Sequence, residues 1–337
     1  MNFTNMITAV DSHTVGQATR VIIGGVPVLK GRSMMEKKEY LRDKFDFIRS
    51  SAMLEPRGHA DMFGAVLTEP VNPKADYGMI FIDGDGYLNM CGHGTIGVAT
   101  VLVECGMVKV SEPVTKLTLE APAGLIELEV KVENNMAKEV SFVNVPAFLY
   151  KKDFELEVPE LGKIRFDIAY GGNFFAIVRD ADLGVSLDNE ALPETVHKAV
   201  QFLNYLKLHV PVKHPLISEI NRIELVEIFR PSKSEGCDVQ NMVVLGKGEV
   251  DRSPCGTGTC AKLADLHARE ELKLNENFVH ESIIGTRFKG KILAETEVGG
   301  FKAVIPEITG SAYITGINNL LIDQNDPVKN GFILKAK

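Results

Sequence analysis

No run of eighteen apolar residues occurs along the chain, so no segment reads as a membrane-spanning helix. No Cys-x-x-Cys pair is present, and no group of His and Cys has zinc-finger spacing, so a metal site is not expected. The five cysteines, Cys91, Cys105, Cys237, Cys255 and Cys260, are an odd number in a chain of 337 residues, which argues against a disulfide framework and for reduced thiols. The glycine-rich segments lack the Gly-Lys-Ser/Thr ending of a phosphate loop, and a dinucleotide-binding reading fails on the flanking pattern. No lysine-plus-phosphate constellation suggests pyridoxal phosphate, so no cofactor is expected. Positive charge is in deficit. The net charge of −8 and a pI near 5.6 argue against nucleic acid or an anionic membrane as the main partner and leave a small-molecule substrate. The opening MNFTNMITAVDSHT is polar where a secretory signal needs an apolar core, so a cytoplasmic location is expected.

What is present is an ordinary globular composition, 45% hydrophobic and 24% charged, at a length that suits two lobes better than one core. Glycine and proline punctuate short apolar runs. Thr19–Ile23, Val28–Lys30, Gly64–Thr68, Met79–Ile82, Leu117–Glu120, Ile126–Val132, Glu139–Val143, Phe174–Val178 and Ile223–Phe229 read as strands. Val243–Leu245, Ile292–Glu295, Lys302–Ile305 and Ala312–Ile314 follow. Helical periodicity is confined to Met35–Ser50, a segment from Pro193 to Leu206 stopped by Pro211, and two runs that begin just after Cys91 and just after Cys255. The expected class is α+β, strand-rich, without the regular alternation of a doubly wound parallel sheet.

A short self-similarity carries the chemistry. Cys91-Gly92-His93-Gly94-Thr95 matches Cys255-Gly256-Thr257-Gly258-Thr259 as Cys-Gly-x-Gly-Thr, 164 residues apart. Each motif follows an extended stretch and precedes an apolar-periodic run, and Gly106 is a plausible stop for the first helix. A glycine-rich turn opening a helix gathers free N–H groups and the positive dipole end at one point. Those donors suit a carboxylate, and the same field favours a thiolate, so both cysteines are expected to have lowered pKa values. A pair of such units suits inversion at a carbon centre: one thiolate removes a proton from one face and a thiol on the other face returns one. An isolated buried cysteine is ordinarily a small hydrophobe, and Cys105, Cys237 and Cys260 are read that way. Duplication sets the other two apart. A Cys–His hydrolase using Cys91 and His93 is disfavoured, because a helix start is expected to send those side chains in different directions.

At these residues the chain closely resembles the proline racemase family, which includes hydroxyproline 2-epimerases and trans-3-hydroxyproline dehydratases. The resemblance rests on Met90 to Gly97 and Asp251 to Thr259. It extends to Asp11-Ser12-His13-Thr14, Leu54 to His59, Val145 to Phe148 and Gly310 to Gly316. It implies a fold similar to diaminopimelate epimerase. Two pseudo-symmetric lobes would each wrap a curved, mostly antiparallel sheet around a central helix, with the active site between them. Residues 1–130 with 306–337 would form the lobe of Cys91, and 131–305 the lobe of Cys255. It implies a homodimer, catalysis by Cys91 and Cys255, a substrate carboxylate held at Gly92, His93, Gly256, Thr257 and Gly258, and amine contacts to His93 and Asp251. Dehydratases of the family carry threonine at the second catalytic position, so Cys255 favours racemisation or epimerisation. Phe63 stands where proline racemases tend to place an aromatic, and Leu245 replaces a second aromatic. A hydroxyproline pocket would need a buried polar partner for the ring hydroxyl, whose absence costs on the order of 1–3 kcal/mol. Neither position offers one, so proline leads and 4-hydroxyproline is the alternative.

Overall fold

The computed structural model describes residues 3–246 and 248–334. The chain divides into two compact units, 1–142 with 310–337, and 143–309. The first contains β1 (Phe3–Thr14), β2 (Gln17–Gly24), α1 (Met34–Met53), β3 (Phe63–Thr68), β4 (Tyr77–Asp83), β5 (Tyr87–Leu88), α2 (Gly92–Glu104), β6 (Val114–Ala121), β7 (Gly124–Glu133) and β8 (Met136–Val143). The second contains β9 (Ala147–Val158), β10 (Gly162–Tyr170), β11 (Phe174–Arg179), α3 (Asp180–Leu183), α4 (Leu192–His209), β12 (Ile223–Pro231), β13 (Val239–Leu245), α5 (Gly256–Ala268), β14 (Asn277–Glu281), β15 (Arg287–Val298) and β16 (Phe301–Gly310). The chain then returns to the first unit with β17 (Ala312–Asp323). The first junction falls later than residue 130 for a local reason. Asn134 and Asn135 both adopt left-handed backbone (φ 55° and 59°) and turn β7 tightly back into β8, so the second hairpin strand stays with its partner.

The two units repeat one topology. In the first, β2–β3 is parallel, β3–β4 antiparallel and β4–β6 parallel. In the second, β11–β12, β12–β13 and β13–β14 follow the same order. Each parallel step is bridged by a helix, as a parallel connection requires: α1 and α2 in one unit, α4 and α5 in the other. Antiparallel hairpins complete each sheet, β6–β7–β8 and β14–β15–β16. The second sheet closes on itself, because β16 pairs with β9 at Val304–Ala147 and β9 with β10.

Helix α2 lies against β1, β2, β3, β7 and β17, and is buried from Gly94 through Val103. Helix α5 lies in the same way against β9, β10, β11 and β15. A helix buried all round must be apolar all round, and Ile96, Val98, Ala99, Val101 and Leu102 meet that demand. Gly106 ends α2 in left-handed backbone (φ 66°). The N–H of Met107 donates to Leu102 and that of Gly106 to Val103, a Schellman stop.

The expected strand at Val28–Lys30 does not form. Val28 is 86% exposed and has no ladder partner, while only Leu29 turns inward. The family-like segment Asp11–Thr14 proves structural in part. Buried Arg20 takes both carboxylate oxygens of Asp11, at 2.7 and 2.8 Å, and also donates to the carbonyls of Ala52 and Arg57. Among the described residues no helix is long and apolar enough to cross a membrane.

Candidate active site

In the first unit, Cys91 is the N-cap of α2 in ordinary extended backbone (φ −153°, ψ 126°). Its carbonyl accepts from the Thr95 N–H at 3.1 Å and from the Thr95 hydroxyl at 2.7 Å, which fixes the first turn. The Thr14 hydroxyl donates to the His93 carbonyl at 2.7 Å and ties the helix start to β1. The side chains of Cys91 and His93 meet, with Sγ 3.2 Å from Nδ1. This corrects the expectation that they diverge. An N-cap side chain in extended backbone reaches back over the second and third helical residues, where an N-cap oxygen would bond. Burial pushes His93 down to about 3, so its imidazole is neutral at physiological pH. Phe63 packs edge-on against His93, with ring centroids 4.4 Å apart, and also touches Phe81. The absence of a side chain at Gly94 admits those two rings. A Cβ there would stand 2.7 Å from Phe63 and 2.8 Å from Phe81.

In the second unit, Cys255 caps α5 with positive φ (63°, ψ 114°), a conformation a residue with a Cβ holds only under constraint. The constraints are visible. Its N–H donates to Ser253 Oγ at 3.1 Å, and its carbonyl accepts from the N–H and hydroxyl of Thr259, both at 2.8 Å. The preceding Pro254 carbonyl accepts from Asn241 at 2.8 Å. The N–H and hydroxyl of Ser253 in turn both donate to Asp251 Oδ1 at 2.8 Å, so Asp251 is anchored beside the cysteine. Burial raises the Asp251 carboxyl to about 6, against hydrogen bonds from Ser253 and the Cys255 thiol that favour the ionised form. Thr257 Oγ1 lies 3.6 Å from Cys255 Sγ. Leu245 packs on the cluster that contains Cys255, Leu225, Val243 and Ala261.

The acidity of Cys255 is opposite to the expectation. Burial, then the negative charge of Asp251, pushes the thiol well above its ordinary value, while the Gly258 N–H and the Thr257 hydroxyl pull it back only in part. Only 7% of the residue is exposed, and desolvation outweighs the helix start. Cys255 therefore rests as a thiol. Cys260, one turn along, points away into packing. It accepts from the Asn144 amide at 3.1 Å, and burial raises it to about 12.

The structure thus assembles Cys91, Gly92, His93 and Phe63 at one helix start and Asp251, Cys255, Gly256, Thr257, Gly258 and Leu245 at the other. Gly92, Gly94 and Gly97 do stand at dinucleotide spacing, yet β6, β7 and β8 run antiparallel to one another instead of extending a parallel sheet. Sequence reasoning passed over Ser253, although it lies inside the second motif. It also passed over Glu227, a fully buried acid on the same strand face as Leu225 and Phe229, directed toward α5.

Two units of one topology, each with a buried central helix opened by a capping cysteine, define an α+β protein of the racemase and epimerase type. The chain belongs to the proline racemase family, whose sequence pattern matches residues 9–333. A proline racemase from Clostridioides difficile is 52% identical over 335 residues, 99% of this chain and 100% of that one. A 4-hydroxyproline 2-epimerase from Streptosporangium roseum is 45% identical over 326 residues, 97% of this chain and 98% of that one. Among solved structures, a hydroxyproline epimerase from Agrobacterium vitis with bound trans-4-hydroxy-L-proline superimposes with a TM-score of 0.88. It is 33% identical and covers 99% of this chain and 96% of that one.

Proposed function

We propose that the protein is a cofactor-independent proline racemase that interconverts L- and D-proline by proton transfer at the α-carbon between Cys91 and Cys255. The observation that carries this reading is the duplicated cysteine at a helix start. Full-length identity of 52% to a proline racemase supports the substrate. The α-proton of an amino acid is very weakly acidic, so the negative charge that develops on removal must meet fixed donors. The N–H groups of Gly92 and His93, and of Gly256, Thr257 and Gly258, hold the substrate carboxylate where that charge gathers. Neutral His93 accepts from the substrate ammonium, and Asp251 pairs with it. One sulfur as thiolate takes the α-proton and becomes a thiol. The other, as thiol, delivers its proton to the opposite face and becomes a thiolate. The reverse reaction exchanges the roles. Phe63 and Leu245 offer the substrate ring apolar neighbours. The protein works in the cytoplasm as a homodimer, and sedimentation equilibrium returning the 37.0 kDa monomer mass would rule the dimer out.

The test is incubation of L-proline in deuterium oxide under reducing conditions. Expected are decay of optical rotation to zero and deuterium at the α-carbon. Unchanged rotation at high enzyme concentration overturns the reading. The alternative, 4-hydroxyproline 2-epimerisation, rests on the solved structure holding trans-4-hydroxy-L-proline. Turnover of proline and trans-4-hydroxy-L-proline side by side decides between them.

A further inference from the structure

Directly behind the second helix start lies a carboxyl group that the proposed reaction does not use. Glu227 is fully buried on β12. A Cβ placed on Gly258 would stand 2.7 Å from Glu227 Oε2 and 3.4 Å from Cys255 Sγ, so the carboxyl and the sulfur flank the same backbone position. Three elements pack around it. From α5 come Lys262 and Asp265, from β14 His280 and from β13 Asn241. Lys262, the nearest cation, is already engaged: its Nζ donates to Asp265 at 2.8 Å and lies 3.6 Å above the Phe229 ring. Neither carboxyl oxygen of Glu227 has a hydrogen-bond partner among the described residues, and the same holds for His280 Nε2 and Asn241 Oδ1.

Hydrogen-bond direction assigns the protons. With the hydrogen of the Thr259 hydroxyl directed at the Cys255 carbonyl, 2.8 Å away, the hydroxyl oxygen accepts from His280 Nδ1 at 3.0 Å. His280 is then protonated on Nδ1 and turns a bare Nε2 toward Glu227 Oε1 at 3.5 Å. Only a protonated carboxyl offers hydrogen to a bare nitrogen. An ionised one would face it with a second lone pair, supported only by the Asn241 amide, which already donates to the Pro254 carbonyl, and by the charge of Lys262.

We propose that Glu227 is a positioning residue for Cys255: a buried neutral acid that, through His280 and Thr259, supports the helix-start turn and keeps negative charge away from the sulfur, so that Cys255 can pass between thiol and thiolate. The proposal rests on the racemase reading for its catalytic meaning but not for its test. Burial raises Glu227 to about 8, with Lys262 opposing and Asp265 adding to the shift, so the group is neutral at pH 7. Once ionised, it repels a thiolate at Cys255.

The test is alkylation by iodoacetamide from pH 5.5 to 9.5, with Cys255 and Cys91 followed separately by peptide mass spectrometry. In Glu227→Gln the alkaline charge is lost and a donor toward His280 is kept. The Cys255 profile is expected to move to lower pH by about one unit, giving on the order of tenfold faster labelling at pH 8.5, with Cys91 unmoved. Superimposable Cys255 profiles overturn the proposal, and so does an equal shift at both cysteines, which reports general loosening. If the variant fails to fold, the wild-type protein supplies the readout. A protonated-carboxyl infrared band persisting above pH 7 is expected, and its absence at pH 7 overturns the proposal. Labelling needs no proline turnover, so a negative proline assay alongside a shifted Cys255 profile would sink the substrate assignment and leave this one standing.

Discussion

The starts of α2 and α5 share a backbone plan and differ in almost everything that surrounds it. In both, the cysteine caps the helix and the threonine four residues on returns its hydroxyl to the cysteine carbonyl, at 2.7 Å in one and 2.8 Å in the other. Beyond that frame, Cys91 is relaxed and lies beside an imidazole, and the helix start is floored at Gly94 by Phe63 and Phe81. Cys255 is held at positive φ, lies beside a hydroxyl and a carboxyl, and is floored by Glu227. The shared frame supplies donors and dipole, while the neighbours decide how acidic each sulfur is. A racemase can tolerate such inequality. Its two bases must both work, but nothing requires them to be alike.

The largest test of the comparison is to remove one sulfur at a time. Cys91→Ser and Cys255→Ser should each lower racemisation by about a thousandfold or more, because a serine hydroxyl is far too weak a base to take the α-proton. Both proteins should melt close to wild type. If either retains wild-type turnover of both enantiomers, the two starts are not partners in one reaction. A smaller effect distinguishes the floors. Gly94→Ala forces a methyl group between two ring edges and should cost about 1–3 kcal/mol of stability by urea denaturation. Gly258→Ala meets a carboxyl oxygen at 2.7 Å and crowds Cys255, so its catalytic loss should exceed its loss of stability. Equal catalytic losses at matched stability would mean that the floors do not matter to the chemistry.

The sequence shows the frame clearly and the surroundings poorly, for a physical reason. A glycine spacing and the apolar run after it are local, so Cys91, Cys255 and both helices are legible from neighbouring residues alone. What lies behind a glycine is set by strands far away in the chain. Glu227 sits in an apolar run that reads as a strand, and only the parity of Leu225, Glu227 and Phe229 hints that the acid faces inward. Strands β9 and β10 escaped notice because Lys151, Lys152 and Asp153 break the run in one, and Lys163, Arg165 and Asp167 in the other. The alternation of exposed Lys163 and Arg165 with buried Ile164 and Phe166 is nevertheless the period-two pattern of a strand with one solvated face, and the pattern ends at Asp167, buried against Arg269. Val28–Lys30 fails in the opposite sense: β-branched composition without a neighbouring strand does not make a ladder. The thiolate expectation for Cys255 weighed the helix dipole and had no means of weighing burial.

The subtlest test of the comparison is the dependence of stability on pH, because the two starts carry opposite linkages. His93, lowered to about 3 from 6.5 by burial, binds its proton less readily when folded. Its contribution is complete above pH 6.5 and is lost as pH falls toward 3. Glu227, raised to about 8 from 4.5, binds its proton more readily when folded. Its contribution is complete below pH 4.5 and is lost as pH rises through 8. His280, lowered to about 3 by burial and then by Lys262, adds to the acid side within the second unit. Asp251, raised to about 6, adds to the alkaline side but is spent above that pH. Urea unfolding at pH 4, 5, 6.5 and 8 should therefore show Glu227→Gln flattening the decline between pH 6.5 and 8 and leaving the fall below pH 5 in place. His93→Gln should do the reverse, relieving the acid side alone. A single variant that flattened both limbs would mean that the two helix starts titrate as one site and that the contrast between their surroundings has no energetic content.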